Sequence, residues 1–198
     1  MRGPTSRGQA FTLEAIVAAL VVLGSLLFAL QASGVTALTA STSNPDAVAQ
    51  REATATGVLD AAVADGTLRP TLLYWDGTRS QFHGTDFGED HYTVGPPTAF
   101  GALLNETLDD RSLAVNVDLE YLNASGGLER RPLVRYGRPS DDAATATRTV
   151  TLYDDDRLLA ANGTATTTLS NASFYAPDRY PGGPVYTVVR VEVVVWRV

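Results

Sequence analysis

Leu113-Ala114-Val115-Asn116-Val117-Asp118-Leu119-Glu120-Tyr121 sets large apolar residues at odd positions against small or polar ones at even positions. Successive side chains of a strand point to opposite faces, so this pattern predicts a half-buried strand. Leu113, Val115, Val117, Leu119 and Tyr121 are expected inward, and Ser112, Ala114, Asn116, Asp118 and Glu120 outward. Asn123–Gly127 reads as a turn, and Leu128–Tyr136 as the partner that pairs back. Val185–Val198 sets valine at odd positions against Tyr186, Arg190, Glu192 and Trp196 at even ones. So long and apolar a strand is expected at the centre of a sheet, since an exposed edge of that kind invites aggregation.

Outward from these strands the pattern changes period. Asn44-Pro45-Asp46 reads as a helix start, with Asn as N-cap, Pro at the first helical position and Asp in the first turn. Val48, Ala55, Val58, Leu59, Ala62 and Val63 then recur at three- and four-residue spacings, giving an amphipathic helix to about Ala64 that Asp65-Gly66 ends. Thr71–Trp75 reads as a short strand closed by Asp76-Gly77, with Arg79–His83 as its return. Arg148–Tyr153 and Arg157–Ala161 read as a hairpin around Asp154-Asp155-Asp156. The body, residues 45–198, is thus expected to be one α+β domain with an antiparallel sheet.

The N-terminus carries the other signal. Arg7-Gly8-Gln9-Ala10-Phe11-Thr12-Leu13-Glu14 stands directly before the apolar run Ala15–Leu30. A carboxylate is costly within a membrane segment, about 2.5–3.5 kcal/mol at its centre. The small residue Gly8 lies before the apolar run, whereas an ordinary secretory signal places its cleavage site after it. This arrangement resembles the class III signal of type IV pilins and pilin-like proteins, in particular the archaeal ones. The resemblance covers about the first 35 residues. It implies cleavage by a prepilin peptidase-type enzyme on the cytoplasmic side at Gly8–Gln9. It also implies a retained helix that serves as anchor and filament core, packing against other pilin-like subunits. Phe11 and Glu14 would be its assembly residues, Glu14 pairing with a neighbour's new α-amino group. The family sets that Glu at the fifth mature residue. A cut after Gly8 makes Glu14 the sixth and a cut after Ala10 the fourth, so the scissile bond stays open.

As a helix Ala15–Leu30 measures about 24 Å, short of a hydrocarbon core of about 30 Å, whereas Phe11–Val35 reaches about 37 Å and spans it with tilt. Gly24 and Ser25 are small enough for close helix approach. Arg2 and Arg7 precede the run and an acidic remainder follows it, so the N-terminus is expected in the cytoplasm and the body outside. The organisation expected is a basic leader at 1–8, a transmembrane and assembly helix at 11–35, a stalk at 36–44 and the extracytoplasmic domain at 45–198. Two alternatives stand beside it. A signal anchor left uncut would hold a surface binding protein that does not assemble. Cleavage near Val35-Thr36-Ala37 would release a secreted domain starting near Leu38.

All 15 basic residues are Arg, against 22 Asp and Glu, for a net charge of −7. Loss of Met1–Gly8 would make the chain more negative by two charges. An acidic, lysine-free chain rich in Ala, Thr and Val resembles haloarchaeal proteins, in which excess charge keeps the protein soluble at high salt. A nucleic-acid partner, which needs a basic stripe, is not expected. With no Cys, neither disulfides nor thiol chemistry enter. Four Asn-x-Ser/Thr sequons, at Asn105, Asn123, Asn162 and Asn171, are candidate glycan acceptors on an exported body and read as loops or turns.

Little here points to catalysis. His83 and His91 lie in one loop with Asp86, Glu89 and Asp90, but not at helical i, i+4 spacing, and no second cluster completes a metal site. Asp154-Asp155-Asp156 lacks the spacing and terminal Glu of a calcium loop. No phosphate-cradling loop or serine elbow is present. Neither an enzyme nor a cofactor is expected.

Overall fold

The computed structural model describes residues 17–25, 45–86, 88–108 and 112–198. The leader, Gly8, Gln9, Phe11, Glu14, the stalk at 36–44 and the N-cap Asn44 lie outside the described residues, as does most of the 11–35 span. Residues 17–25 are helical (α1). Val17, Leu20, Val21, Val22 and Leu23 are all more than half exposed there. Among the described residues no helix is long and apolar enough to cross a membrane.

Residues 45–198 form a separate compact unit. It begins with α2 (Pro45–Ala64), which buries Arg51, Ala55, Val58, Leu59 and Ala62 along one side. The expected stop holds: Gly66 takes φ +65, a conformation glycine adopts without strain, and its N–H bonds the Val63 carbonyl. Next come α3 (Leu68–Leu72) and the two-residue strands β1 (Trp75–Asp76) and β2 (Gln81–Phe82), paired antiparallel. The strand expected at Thr71–Trp75 is therefore mostly a helical turn, with only Trp75 in a strand. The Thr71 hydroxyl bonds back to the Thr67 carbonyl at 3.0 Å, in the manner of a helix. Helix α4 (Ala99–Leu108), absent from the sequence reading, buries Phe100, Leu104 and Leu108 at four-residue steps.

The main sheet contains β3 (Leu113–Leu122), β4 (Leu128–Arg135), β5 (Ala144–Tyr153) and β8 (Val185–Arg197) in the order β4-β3-β8-β5, antiparallel throughout. The fold is α+β, and β8 is paired on both sides as its composition demands. The hairpin expected around Asp154–Asp156 does not form. Strand β5 returns to pair with β8, while β6 (Arg157–Leu159) pairs with β7 (Ala165–Thr168) in a small separate sheet. What turns the chain at Asp154–Asp156 is local bonding: the Asp156 carboxylate accepts the Tyr153 N–H at 2.8 Å and sits 3.3 Å from the Arg69 guanidinium.

One face of the sheet carries Val117, Leu119, Val189, Val191, Val193 and Val195, all buried in a single cluster with Leu59 of α2 and Phe100 and Leu104 of α4. Burying side chains of this size stabilises by about 1.5–3 kcal/mol each and is the main force holding helices to sheet. Arg148 of β5, on this same side, reaches Asp60 of α2 at 2.5 Å.

Candidate interaction surface

The opposite face of the sheet is built from the outward positions of the same strands. Register sets Asp118 across from Glu192 and Glu120 across from Arg190 on β8, and Glu120 across from Arg130 on β4. Two acids face each other directly, a pairing that is unfavourable by itself. Arginine resolves it. Arg130 reaches Glu120 at 2.6 Å, Glu192 at 2.9 Å and Asp118 at 3.4 Å, so one guanidinium ties three strands' worth of charge together. Arg135 bonds Asp118 at 2.7 Å; Arg190 lies 3.0 Å from Glu120 and 3.6 Å from Glu192. Each oxygen of the three carboxylates has a guanidinium partner, and three acids balance three bases.

Of the positions expected outward, Ser112 is exposed but Ala114, Asn116, Asp118 and Glu120 are not solvated. Asn116 and Asp118 are each 1 % exposed and Glu120 is 5 % exposed, and the arginines lie over Asp118 and Glu120. Asn116 is held in turn by the loop after β4: its Nδ2 donates to the Gly137 carbonyl at 2.9 Å, and its Oδ1 accepts the Tyr136 N–H at 3.0 Å. Burial pushes the Asp118 carboxyl above the usual carboxylate range, more strongly than Arg135 and Arg130 pull it down. The hydrogen bond to Glu120 raises the Arg130 guanidinium.

Around this cluster the face changes character. On one side β5 presents Thr145, Thr147, Thr149 and Thr151 at alternate positions. Next to these threonines Leu122, Leu128, Tyr180 and Val188 are exposed and, with Thr149, Arg179 and Arg190, line a recess of about 240 Å³. Arg179 is fixed by donating to the Asn123 and Ala124 carbonyls, both at 3.0 Å. The surface can thus offer hydroxyls, guanidinium edges and a small apolar patch on a rigid sheet, a combination suited to contact with another macromolecule.

The sequence reading named none of Asp118, Glu120, Glu192, Arg130, Arg135 and Arg190 as a site. The residues it did name are dispersed. His83 packs edge-on against Tyr74, 5.1 Å between ring centres, beside a recess of about 360 Å³ that Asp76 and Asn171 also line. His91 bonds Asp90 at 3.0 Å and lines a different recess with Asp86 and Glu89. Among the described residues no group of three His, Asp or Glu is placed to hold a metal ion.

Of the sequons, Asn123 and Asn162 occupy hairpin turns. The Asn123 side-chain oxygen accepts from Ser125 and Gly127, and that of Asn162 from Thr164. Asn171 lies exposed in a 3-10 turn, Leu169–Asn171. Asn105 departs from the expected loop: it is half-buried within α4.

No curated protein and no solved structure matches this chain. A family model described as a family of unknown function, DUF7288, matches residues 7–195, nearly the whole sequence, and the chain belongs to that family.

Proposed function

We propose that this chain is a membrane-anchored, extracytoplasmic structural protein, a pilin-like subunit or accessory part of a type IV pilus-like surface filament. The observation that carries this is the Arg7–Glu14 motif set against the apolar run, with a basic leader before it and an acidic body after it. Two features support it. The family match begins at Arg7, so it takes in the N-terminal segment together with the body. The body packs an amphipathic helix, α2, against an antiparallel sheet, as a pilin-like body would.

In this reading residues 11–35 hold the chain in the membrane and pack with other pilin-like subunits, a prepilin peptidase-type enzyme removes residues 1–8, and the body faces outward. Its lysine-free acidic surface suits a salt-rich exterior. Exposed sequons at Asn162 and Asn171 would be open to glycosylation there. The body would act through surface adhesion and assembly.

Mass spectrometry of the native N-terminal peptide tests the proposal. A mature start at Gln9, or at Phe11, supports it. An intact Met1 would instead indicate an uncut signal anchor, and a start near Leu38 a secreted domain; either result removes the pilin reading.

A further inference from the structure

The two edges of the main sheet are built differently, and the difference points to a partner. Strand β4, at one edge, carries several guards against pairing. It contains Pro132, four charged residues (Glu129, Arg130, Arg131 and Arg135), and a register break opposite Val117/Asp118. Its free edge is also occupied: Tyr92 bridges to Val134, donating to the Leu133 carbonyl at 2.9 Å and accepting from Arg135 at 2.8 Å.

Strand β5, at the other edge, has fewer guards: no proline, and one charged residue in place of four. Ala144-Thr-Ala-Thr-Arg-Thr-Val-Thr-Leu-Tyr153 runs ten residues, with no proline and no register break before Leu152/Tyr153. Its four threonines, Val150 and Tyr153 are β-forming residues. Its one charge, Arg148, is already paired with Asp60. Among the described residues β8 is the one strand that pairs with β5, and no other element bonds the backbone of residues 145–152 from outside. The Thr147 carbonyl is taken by Arg148's own guanidinium, at 2.7 Å, which has to turn aside for a partner strand to pair there.

We infer that β5 is an interface between two copies of this chain, its free edge pairing antiparallel with the β5 of a second copy about a twofold axis. The chemistry is self-complementary. Cross-strand Thr–Thr pairs are favourable, and a twofold contact brings the same patch to itself. In an otherwise acidic chain this edge carries no carboxylate from Ala144 to Tyr153, so Arg148 is the one charge of the strand that can meet its like. The axis avoids Arg148, where it would oppose two guanidiniums. Set at Thr149 it pairs Thr147 with Thr151 and places each Arg148 against Val150. The eight strands so joined make one continuous sheet. This inference stands on the body's fold and does not depend on how the N-terminus is processed.

The absence of cysteine makes the test direct. Single-cysteine variants of the full chain at Thr145, Thr147, Thr149 and Thr151, with Glu129→Cys on β4 as control, are purified in mild detergent and oxidised. Opposed residues in an antiparallel pair lie about 5.5 Å apart at Cα, within disulfide reach. A single maximum of covalent dimer along the threonine series, several-fold above the Glu129→Cys level, is expected. Light scattering of the unoxidised chain should give a dimer, lost on Thr149→Lys, an exposed substitution that faces lysine with lysine. Absence of covalent dimer at all four threonines, equal yields at these positions and at Glu129→Cys, or a dimer that survives Thr149→Lys would overturn the inference.

Discussion

Arg130 Nη2 stands 2.6 Å from Glu120 Oε1 across the β4–β3 pair and 2.9 Å from Glu192 of β8, so a half-exposed arginine is a shared partner of two carboxylates that are almost wholly buried. Buried charges are stable only while partnered, and removing one partner of a buried pair costs about 3–5 kcal/mol. Water can reach the vacated position, which lowers the cost here. Arg130→Met is therefore expected to destabilise the body by about 2–4 kcal/mol in denaturant unfolding. Replacing the acids as well, in Arg130→Met with Glu120→Leu and Glu192→Leu, should recover most of that loss. A triple variant less stable than the single one would mean that the acids, rather than their loss of charge balance, matter for packing.

Asp118 lies in the same cluster but responds to pH in an unusual direction. Burial raises its carboxyl above the ordinary value despite Arg135 and Arg130. An acid whose value is higher folded than unfolded stabilises most when protonated, below about pH 4, and loses that contribution as pH rises through the folded value. Asp118→Asn cannot titrate. The stability of the parent chain relative to this variant should accordingly increase as pH falls from 7 toward 4, read as the difference in Tm. Asp90, lowered chiefly by its hydrogen bond to His91, works the other way but is present in both chains and cancels. A difference that shrinks on acidification would show that the site favours the charged carboxylate.

How far the fold can be read without coordinates depends on what each residue reports. The alternation at Leu113–Tyr121 and the valines of β8 report their own burial, so β3 and β8 were legible along with α2 and its stop at Gly66. The short run after Pro70 was not, since four or five apolar residues fit a strand or a turn of helix equally well. Helix α4 did leave a signal: Phe100, Leu104 and Leu108 recur every fourth residue after Pro96-Pro97-Thr98. The charged cluster was hidden for a different reason. Asp118 and Glu120 look like solvated positions until register brings Arg130, Arg135, Arg190 and Glu192 beside them. Partner choice misled in the same way at Asp154–Asp156, where adjacency in sequence suggested a β5–β6 hairpin and a later strand, β8, claims β5.

Two glycines of the body's helices should respond oppositely to the same substitution. Gly57 is exposed within α2, and a methyl group there would meet nothing within 4 Å. Alanine restricts the unfolded chain and favours helix, so Gly57→Ala should stabilise by about 0.5–1 kcal/mol. Gly101 of α4 is packed on the segment before it, and a methyl group would overlap the Pro96 carbonyl. Gly101→Ala is expected to cost at least about 1–3 kcal/mol, as overpacking does. Thermal unfolding of both variants checks the pair; equal effects at the two sites would mean that α4 does not hold this close contact in solution.

Glu14 tests the assembly role apart from anchoring. A charge near a membrane segment opposes insertion, so Glu14→Ala removes a cost, and the variant should enter the membrane at least as well as the parent. Its loss should instead weaken the proposed pairing with a neighbour's α-amino group. The expected result is unchanged or greater recovery in membranes together with a several-fold drop in filaments sheared from cells. Glu14→Gln, which keeps the size and hydrogen bonding but not the charge, should drop similarly if charge pairing is what matters. Normal filament yield in both variants would remove Glu14 from assembly, while equal loss from membranes and filaments would assign it to insertion.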